Sequence, residues 1–276
     1  MLSRAGLGIG GLTRGGGAAA YVFTNTEASD LVARFTTPPT NTRKALIDTL
    51  IGSLKTAGVW SKLDAFYMLA AADAQSSLLN WVSTSYNLTV VSTPTFTADR
   101  GYKGNGSSSY LRTGFNPATA GSPKSVLNSA SMGVYINGTP ATGLDRAQMG
   151  IINGANYQLL DVTVANAVVG RMNTDTTGSA SGAGQAGNTG LFAINRTGST
   201  ASRLTRNGTD LATTAVASTS VPSEEIIIMA RYSGGTPARY STDQFAMSYI
   251  GAGLSDAEDD AFYSALNVHL TALGAA

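Results

Sequence analysis

The chain has 276 residues, enough to bury a core without cross-links. Charged residues make up only 13% of it and the net charge is +1, which excludes the basic field of a nucleic-acid binder. There is no cysteine and one histidine, His269, so disulfides, thiolate or multi-histidine metal centres and cysteine nucleophiles are excluded too.

Residues 1–20 form a glycine-rich arm that cannot make a core. Its apolar run is too short and too glycine-broken to predict a cleaved signal, and no run in the chain reaches the ~18 apolar residues of a membrane span. Glycine carries the largest ordering cost, so such an arm is fixed only where contacts offset it. The arm is expected to lie on its own domain or to be gripped by neighbouring chains. In the second case Leu2, Leu7, Ile9 and Leu12 are the anchoring residues.

Residues 21–85 are expected to be a small helical segment. Thr24 and Glu27 have capping-box spacing, and Pro38 and Pro39 end the first helix. A second begins near Asn41, with Leu46, Ile47, Leu50, Ile51 and Leu54 as its apolar stripe; Arg43, Lys44, Asp48 and Lys55 face away and Gly58 stops it. Ser61 and Asp64 open a third helix carrying Leu63, Phe66, Tyr67 and Ala70, and Asp73 caps a fourth that runs to Trp81. Trp60 and Trp81 read as core or interface anchors rather than cofactor contacts.

From about residue 86 the apolar period becomes two, in short runs near 86–98, 129–137, 147–153, 157–172, 190–198, 202–216, 224–233 and 244–251. Asn-Gly pairs begin at residues 105, 137, 153 and 207, each between strand-like runs and each suited to a type I′ hairpin. This pattern predicts an antiparallel sandwich or jelly roll over residues 86–276. It closes with a helix whose first turn holds Ser255 and Glu258 as a capping box, with Asp256, Asp259 and Asp260 beside them.

Gly104-Asn105-Gly106 could be a phosphate cradle, but Ser109 stands where a dinucleotide fingerprint needs its third glycine, and no Gly-Lys-Ser/Thr follows. The remaining reading is a hairpin turn between a strand near Phe96 and one carrying Tyr110–Phe115. The run "GNGSSSYLRTGF" resembles the opening strands of concanavalin A-like, or laminin-G-like, jelly rolls, and the ending "FAMSYIGAGLSDAEDDAFYSALNVHL" resembles their close. Over nearly its whole length, carried by residues 35–81 and 93–117, the chain also resembles structural proteins encoded among bacteriophage head and tail genes. This resemblance implies a lectin-like fold and a virion location, with other capsid or tail proteins as partners and assembly as a homo-oligomer. It supplies no catalytic residues and no cofactor.

The paired carboxylates of jelly-roll glycosidases are absent as a motif. The chain has four glutamates, Glu27, Glu224, Glu225 and Glu258, and none stands in an E-x-D-x-x-E pattern. No nucleophile elbow supports a serine triad, and His269 sits beside Leu270 in a helical pattern. A non-enzymatic protein is therefore expected. For a glycan the best candidates are Tyr232, Arg239 and Tyr240, which flank a Gly-Gly turn; they serve equally as hairpin packing residues. Asp145, Asp161 and Asp243 are the carboxylates a calcium ion would need, but no D-x-D-x-D loop joins them. Two functions follow: a capsid decoration, head-fibre or tail-associated component, or a carbohydrate-binding adhesin that recognises a host-surface glycan.

Overall fold

A computed structural model describes residues 19–276, apart from 164 and 186. Leu2, Leu7, Ile9 and Leu12 therefore lie outside the described residues. In chain order the elements begin with helices α1 (Thr26–Ala33) and α2 (Asn41–Thr56), strand β1 (Leu63–Met68) and the one-turn helix α3 (Ala74–Ser77). Strands β2 (Thr89–Val91), β3 (Thr95–Thr97), β4 (Gly101–Lys103), β5 (Tyr110–Arg112), β6 (Ala130–Ile136) and β7 (Arg146–Asn153) follow. Next come β8 (Asn156–Val162), β9 (Val168–Thr174), β10 (Ala180–Gly182), β11 (Gly190–Gly198), β12 (Ala201–Arg206) and β13 (Thr209–Thr214). The chain ends with β14 (Ile227–Ile228), β15 (Arg231–Ser233), β16 (Thr236–Ala238), β17 (Gln244–Gly251) and helix α4 (Asp256–Leu273).

The strands form two sheets. The first runs β13-β12-β11-β6-β17-β4-β3, with β1 also on β17; the second runs β10-β9-β8-β7-β14-β5-β2, with the β15–β16 hairpin beside β7. All pairings are antiparallel except β15 with β7. The fold is thus the expected mainly β, antiparallel sandwich with N-terminal helices and a C-terminal helix. No described helix is long and apolar enough to cross a membrane.

Two apolar cores share the first sheet. Met132, Val134 and Ile194 of the first sheet meet Met149, Leu160 and Met172 of the second. On its other face Tyr135, Leu191, Ala193 and Tyr249 meet Leu50, Ile51 and Leu54 of α2 and Phe262, Leu266 and Leu270 of α4. This double burial corrects the helix expected over residues 61–70. Only a single 3-10 turn, Trp60–Lys62, is helical there; it leads into β1, antiparallel to β17 with Phe66 opposite Tyr249. Ala65, Tyr67 and Leu69 enter the core between the sheets, whereas Phe66, Met68 and Ala70 lie under the helices. A strand buried on both faces is apolar at nearly every position, so its period of two is invisible.

Other local readings also change. The Thr24–Glu27 capping box does not form: the N-cap of α1 is Asn25, without a side-chain cap, and Glu27 pairs with Lys55 at 2.8 Å. Asp48, expected to face solvent, is buried. Its carboxylate accepts from the amides of Thr24 (2.7 Å) and Asn25 (2.9 Å), from Asn25 Nδ2 (2.8 Å) and from the Tyr21 hydroxyl (2.9 Å). Burial raises the pKa of Asp48, but these donors outweigh it and hold it below the usual value. Asp73 caps a helix that ends at Ser77, short of Trp81.

Of the four Asn-Gly turns, Asn207-Gly208 is the expected hairpin, with φ of 53° and 80° between the paired Arg206 and Thr209. At 153 the turn falls one residue later, because Asn153 still pairs with Asn156. The other two are not hairpins. Asn105-Gly106 links β4 of the first sheet to β5 of the second, and Asn137-Gly138 links β6 to β7 in the same way. The first loop must be glycine-rich for a different reason. It lies against residues 241–243, with the Gly106 amide donating to the Ser241 carbonyl at 3.1 Å, and a Cβ on Gly104 would stand 2.0 Å from that same carbonyl oxygen.

Candidate functional site

The β15–β16 hairpin turns at Gly234-Gly235, whose φ values of 58° and 78° favour glycine. Tyr232 lies on β15 and Tyr240 just past β16, and both reach Tyr110 of β5. Ring centroids are 6.3 Å apart for Tyr110 and Tyr232 and 6.2 Å for Tyr110 and Tyr240. All three tyrosines are half-buried. Tyr240 donates its hydroxyl to the Pro237 carbonyl at 3.2 Å. The Tyr232 phenol is pushed up to about 12, first by burial, then by a hydrogen bond to Tyr110 and by the Glu225 charge.

Two residues from Tyr110, Arg112 leaves β5 with its side chain 51% exposed. Its Nε and Nη2 both donate to Glu225 Oε2, at 3.0 and 2.8 Å, and the other Glu225 oxygen accepts from the Gly114 amide at 2.6 Å. Glu225 is thus a bracket that fixes the plane of an exposed guanidinium beside the tyrosines. Three partly exposed aromatic rings with an oriented multi-donor group are what a carbohydrate-binding surface uses: rings stack on C–H faces, and fixed donors read hydroxyls or carboxylates.

Arg239 is placed differently from the tyrosines. Its backbone is left-handed, at φ 54°. Its guanidinium reaches Asp161 at 3.3 Å and Asp145 at 3.4 Å. Asp161 is buried and also receives Arg231. Burial pushes the Asp161 carboxyl up to about 6, against the pull of Arg231, Arg239 and Arg171. Arg171 in turn stacks over Tyr157, 5.2 Å from its centroid. This cluster ties the hairpin to β8 and β9. The third carboxylate considered for calcium, Asp243, is paired with Arg146 instead, and the described residues hold no group of three or more metal-ligating side chains.

Each of the four glutamates has its own partner: Glu27 meets Lys55, Glu224 and Glu225, neighbours in the segment before β14, accept from Asn153 and hold Arg112 respectively, and Glu258 meets Lys62 and completes the α4 capping box. His269 is buried under α2, its Nδ1 3.2 Å from the Leu46 carbonyl. Sequence reading found Tyr232 and Tyr240 but missed Tyr110, Arg112 and Glu225. They are more than a hundred positions away from the hairpin or flanked by strand signals, and only the β5–β14 pairing gathers them.

No protein-family model matches the chain, and no curated protein sequence does. Solved structures do share its fold. The receptor-binding domain of botulinum neurotoxin C/D mosaic serotype superposes with a TM-score of 0.52 at 11% identity, covering 74% of this chain and 51% of that one. The botulinum neurotoxin serotype D binding domain gives 0.52 at 10% identity over 75% of this chain and 52% of its own. The chain therefore spans about half the length of these structures. At such identities the likeness is one of fold: a two-sheet antiparallel sandwich.

Proposed function

We propose that this chain is a non-catalytic recognition module, a carbohydrate-binding adhesin carried on a bacteriophage particle. The observation that carries the reading is the Tyr110–Tyr232–Tyr240 cluster beside Arg112, whose guanidinium Glu225 holds in one plane. The fold neighbours lend support, since one is the receptor-binding domain of a neurotoxin and the other a neurotoxin binding domain. The particle setting rests on the sequence resemblance to phage structural proteins. In that setting the arm of residues 1–20 joins the module to other virion proteins or to its own symmetry mates, after assembly in the host cytoplasm, and the sandwich faces outward.

The test is a glycan array probed with the full chain, followed by titration of any hit against Tyr110→Ala and Tyr232→Ala. Loss of affinity of about tenfold or more in both variants, with the melting temperature nearly kept, supports the site; stacking losses of ~1.5 kcal/mol give that factor. Glycan binding that survives both substitutions removes it. The second reading, a decoration, head-fibre or tail-associated component with no ligand, is favoured by the same sequence resemblance. It predicts an empty array and a regular position of the chain on reconstructed particles.

A further inference from the structure

A cavity of about 330 Å³ lies where residues 35–43 fold over the end of β1, on the helical side of the first sheet and away from the tyrosines of the second. Its walls are mainly apolar: Phe35, Pro38, Pro39, Ile47, Met68 and Trp81. Most polar groups at its edge are already engaged. Arg43 gives its Nη2 to Asp99 at 2.7 Å, Asp73 caps the Ser76 amide at 2.9 Å, the Ser76 hydroxyl donates to the Asp73 carbonyl, and His269 Nδ1 lies 3.2 Å from the Leu46 carbonyl. Trp81 is the exception. It is 5% exposed, and among the described residues its Nε1–H has no acceptor. A buried donor left unmatched is costly, and native structures match nearly all of them.

We infer that this cavity is a binding site for a compact, mainly apolar molecule bearing one hydrogen-bond acceptor, which the Trp81 indole N–H recognises. The size and lining are those of small-molecule sites, in which apolar walls surround a few placed polar groups. A neutral ligand fits best. The Arg43 charge is committed to Asp99, and burial keeps His269 uncharged at neutral pH by lowering its pKa to about 4. The His269 ring packs T-shaped against Trp81, with centroids 6.0 Å apart, and fixes the indole that would read the acceptor.

Two probes of the same shape separate this from simple apolar filling: acetophenone, and α-methylstyrene, in which a methylene replaces the carbonyl oxygen. The chain has two tryptophans, so the ¹⁵N-labelled full-length protein gives two indole N–H signals, assigned with Trp60→Phe or Trp81→Phe. Acetophenone is expected to move the Trp81 signal downfield saturably and leave Trp60 in place. α-Methylstyrene is expected to bind roughly fivefold more weakly, the worth of one hydrogen bond, without the downfield shift. Trp81→Phe should erase the difference between the probes. If that variant fails to fold, the two titrations of the wild-type protein decide alone. No saturable shift, or equal affinity for both probes, overturns the assignment.

Discussion

Arg146 and Asp243 meet at 2.8 Å with side chains 1% and 0% exposed, an ion pair sealed between the two sheets. Arg146 opens β7 of the second sheet and Asp243 immediately precedes β17 of the first, so the pair clamps the sandwich where the chain crosses. Burial raises the Asp243 pKa and Arg146 pulls it back. Removing Asp243 takes the paired carboxylate away from a buried guanidinium. Asp243→Ala is expected to cost roughly 3–5 kcal/mol in urea unfolding, and the double replacement Arg146→Met, Asp243→Leu to recover most of it. A single variant with an unchanged midpoint would contradict this.

Two buried titrating groups pull the pH dependence in opposite directions. His269 has its pKa lowered to about 4, by burial first and by Arg43, against its bond to Leu46. Its contribution is present above pH 6.5 and is lost as pH falls toward 4, because the unfolded chain takes the proton first. Asp161 has its pKa raised to about 6. Its contribution is present below the unfolded value and is lost as pH rises through 6. Each is worth roughly 3 kcal/mol over its interval, so the two nearly cancel between pH 4 and 6.5. With Asp161→Asn, stability should drop more steeply on acidification than in the wild type; with His269→Gln it should drop as pH rises. Parallel profiles for all three proteins would refute the assignment.

Glycines at two loop positions should respond oppositely to alanine. At Gly104 a Cβ would strike the Ser241 carbonyl, a backbone atom that cannot swing aside. Gly104→Ala is expected to cost at least ~1–3 kcal/mol, the scale of overpacking. At Gly121 a Cβ meets nothing within 4 Å and φ is not left-handed. Gly121→Ala should be neutral or stabilise by up to ~1 kcal/mol, through the unfolded chain. Thermal melts of the pair decide, and similar losses at both positions would show that the Gly104 loop can move away from residues 241–243.

Sequence legibility followed the range of the interactions. The α4 capping box, the Asn207-Gly208 hairpin and the apolar stripe of α2 are local devices, and each stands where its residues predict. Phe66 and Tyr67 read as helix because both faces of β1 are buried, which erases alternation. Asp48 read as a solvated helix residue because its partners, Tyr21, Thr24 and Asn25, come from a preceding segment that carries no signal pointing at it. Asn105-Gly106 has hairpin chemistry, yet its flanking strands belong to different sheets. Tyr110 joins Tyr232 only through strand order, which no pair of local motifs encodes.

The bracket formed by Glu225 offers a way to separate orientation from contact in the proposed glycan site. Glu225→Gln keeps the side-chain volume but removes the charge that holds Arg112, and it weakens the acceptor facing the Gly114 amide. The Arg112 side chain is half exposed, so solvent screens the pair and the fold should lose no more than ~1 kcal/mol. Binding depends on more than that pair energy, because a freed guanidinium must be re-ordered at each encounter; fixing a mobile side chain costs about 0.5–1.5 kcal/mol. Glycan affinity should therefore fall roughly three- to tenfold, while Arg112→Ala, which removes the donors outright, should fall further. Tyr232→Phe, which keeps the ring and loses only the hydroxyl, should stay closer to wild type than Tyr232→Ala. If Glu225→Gln binds as tightly as the wild type while Arg112→Ala does not, the guanidinium contributes contact alone and the bracket serves only to join β5 to the segment before β14.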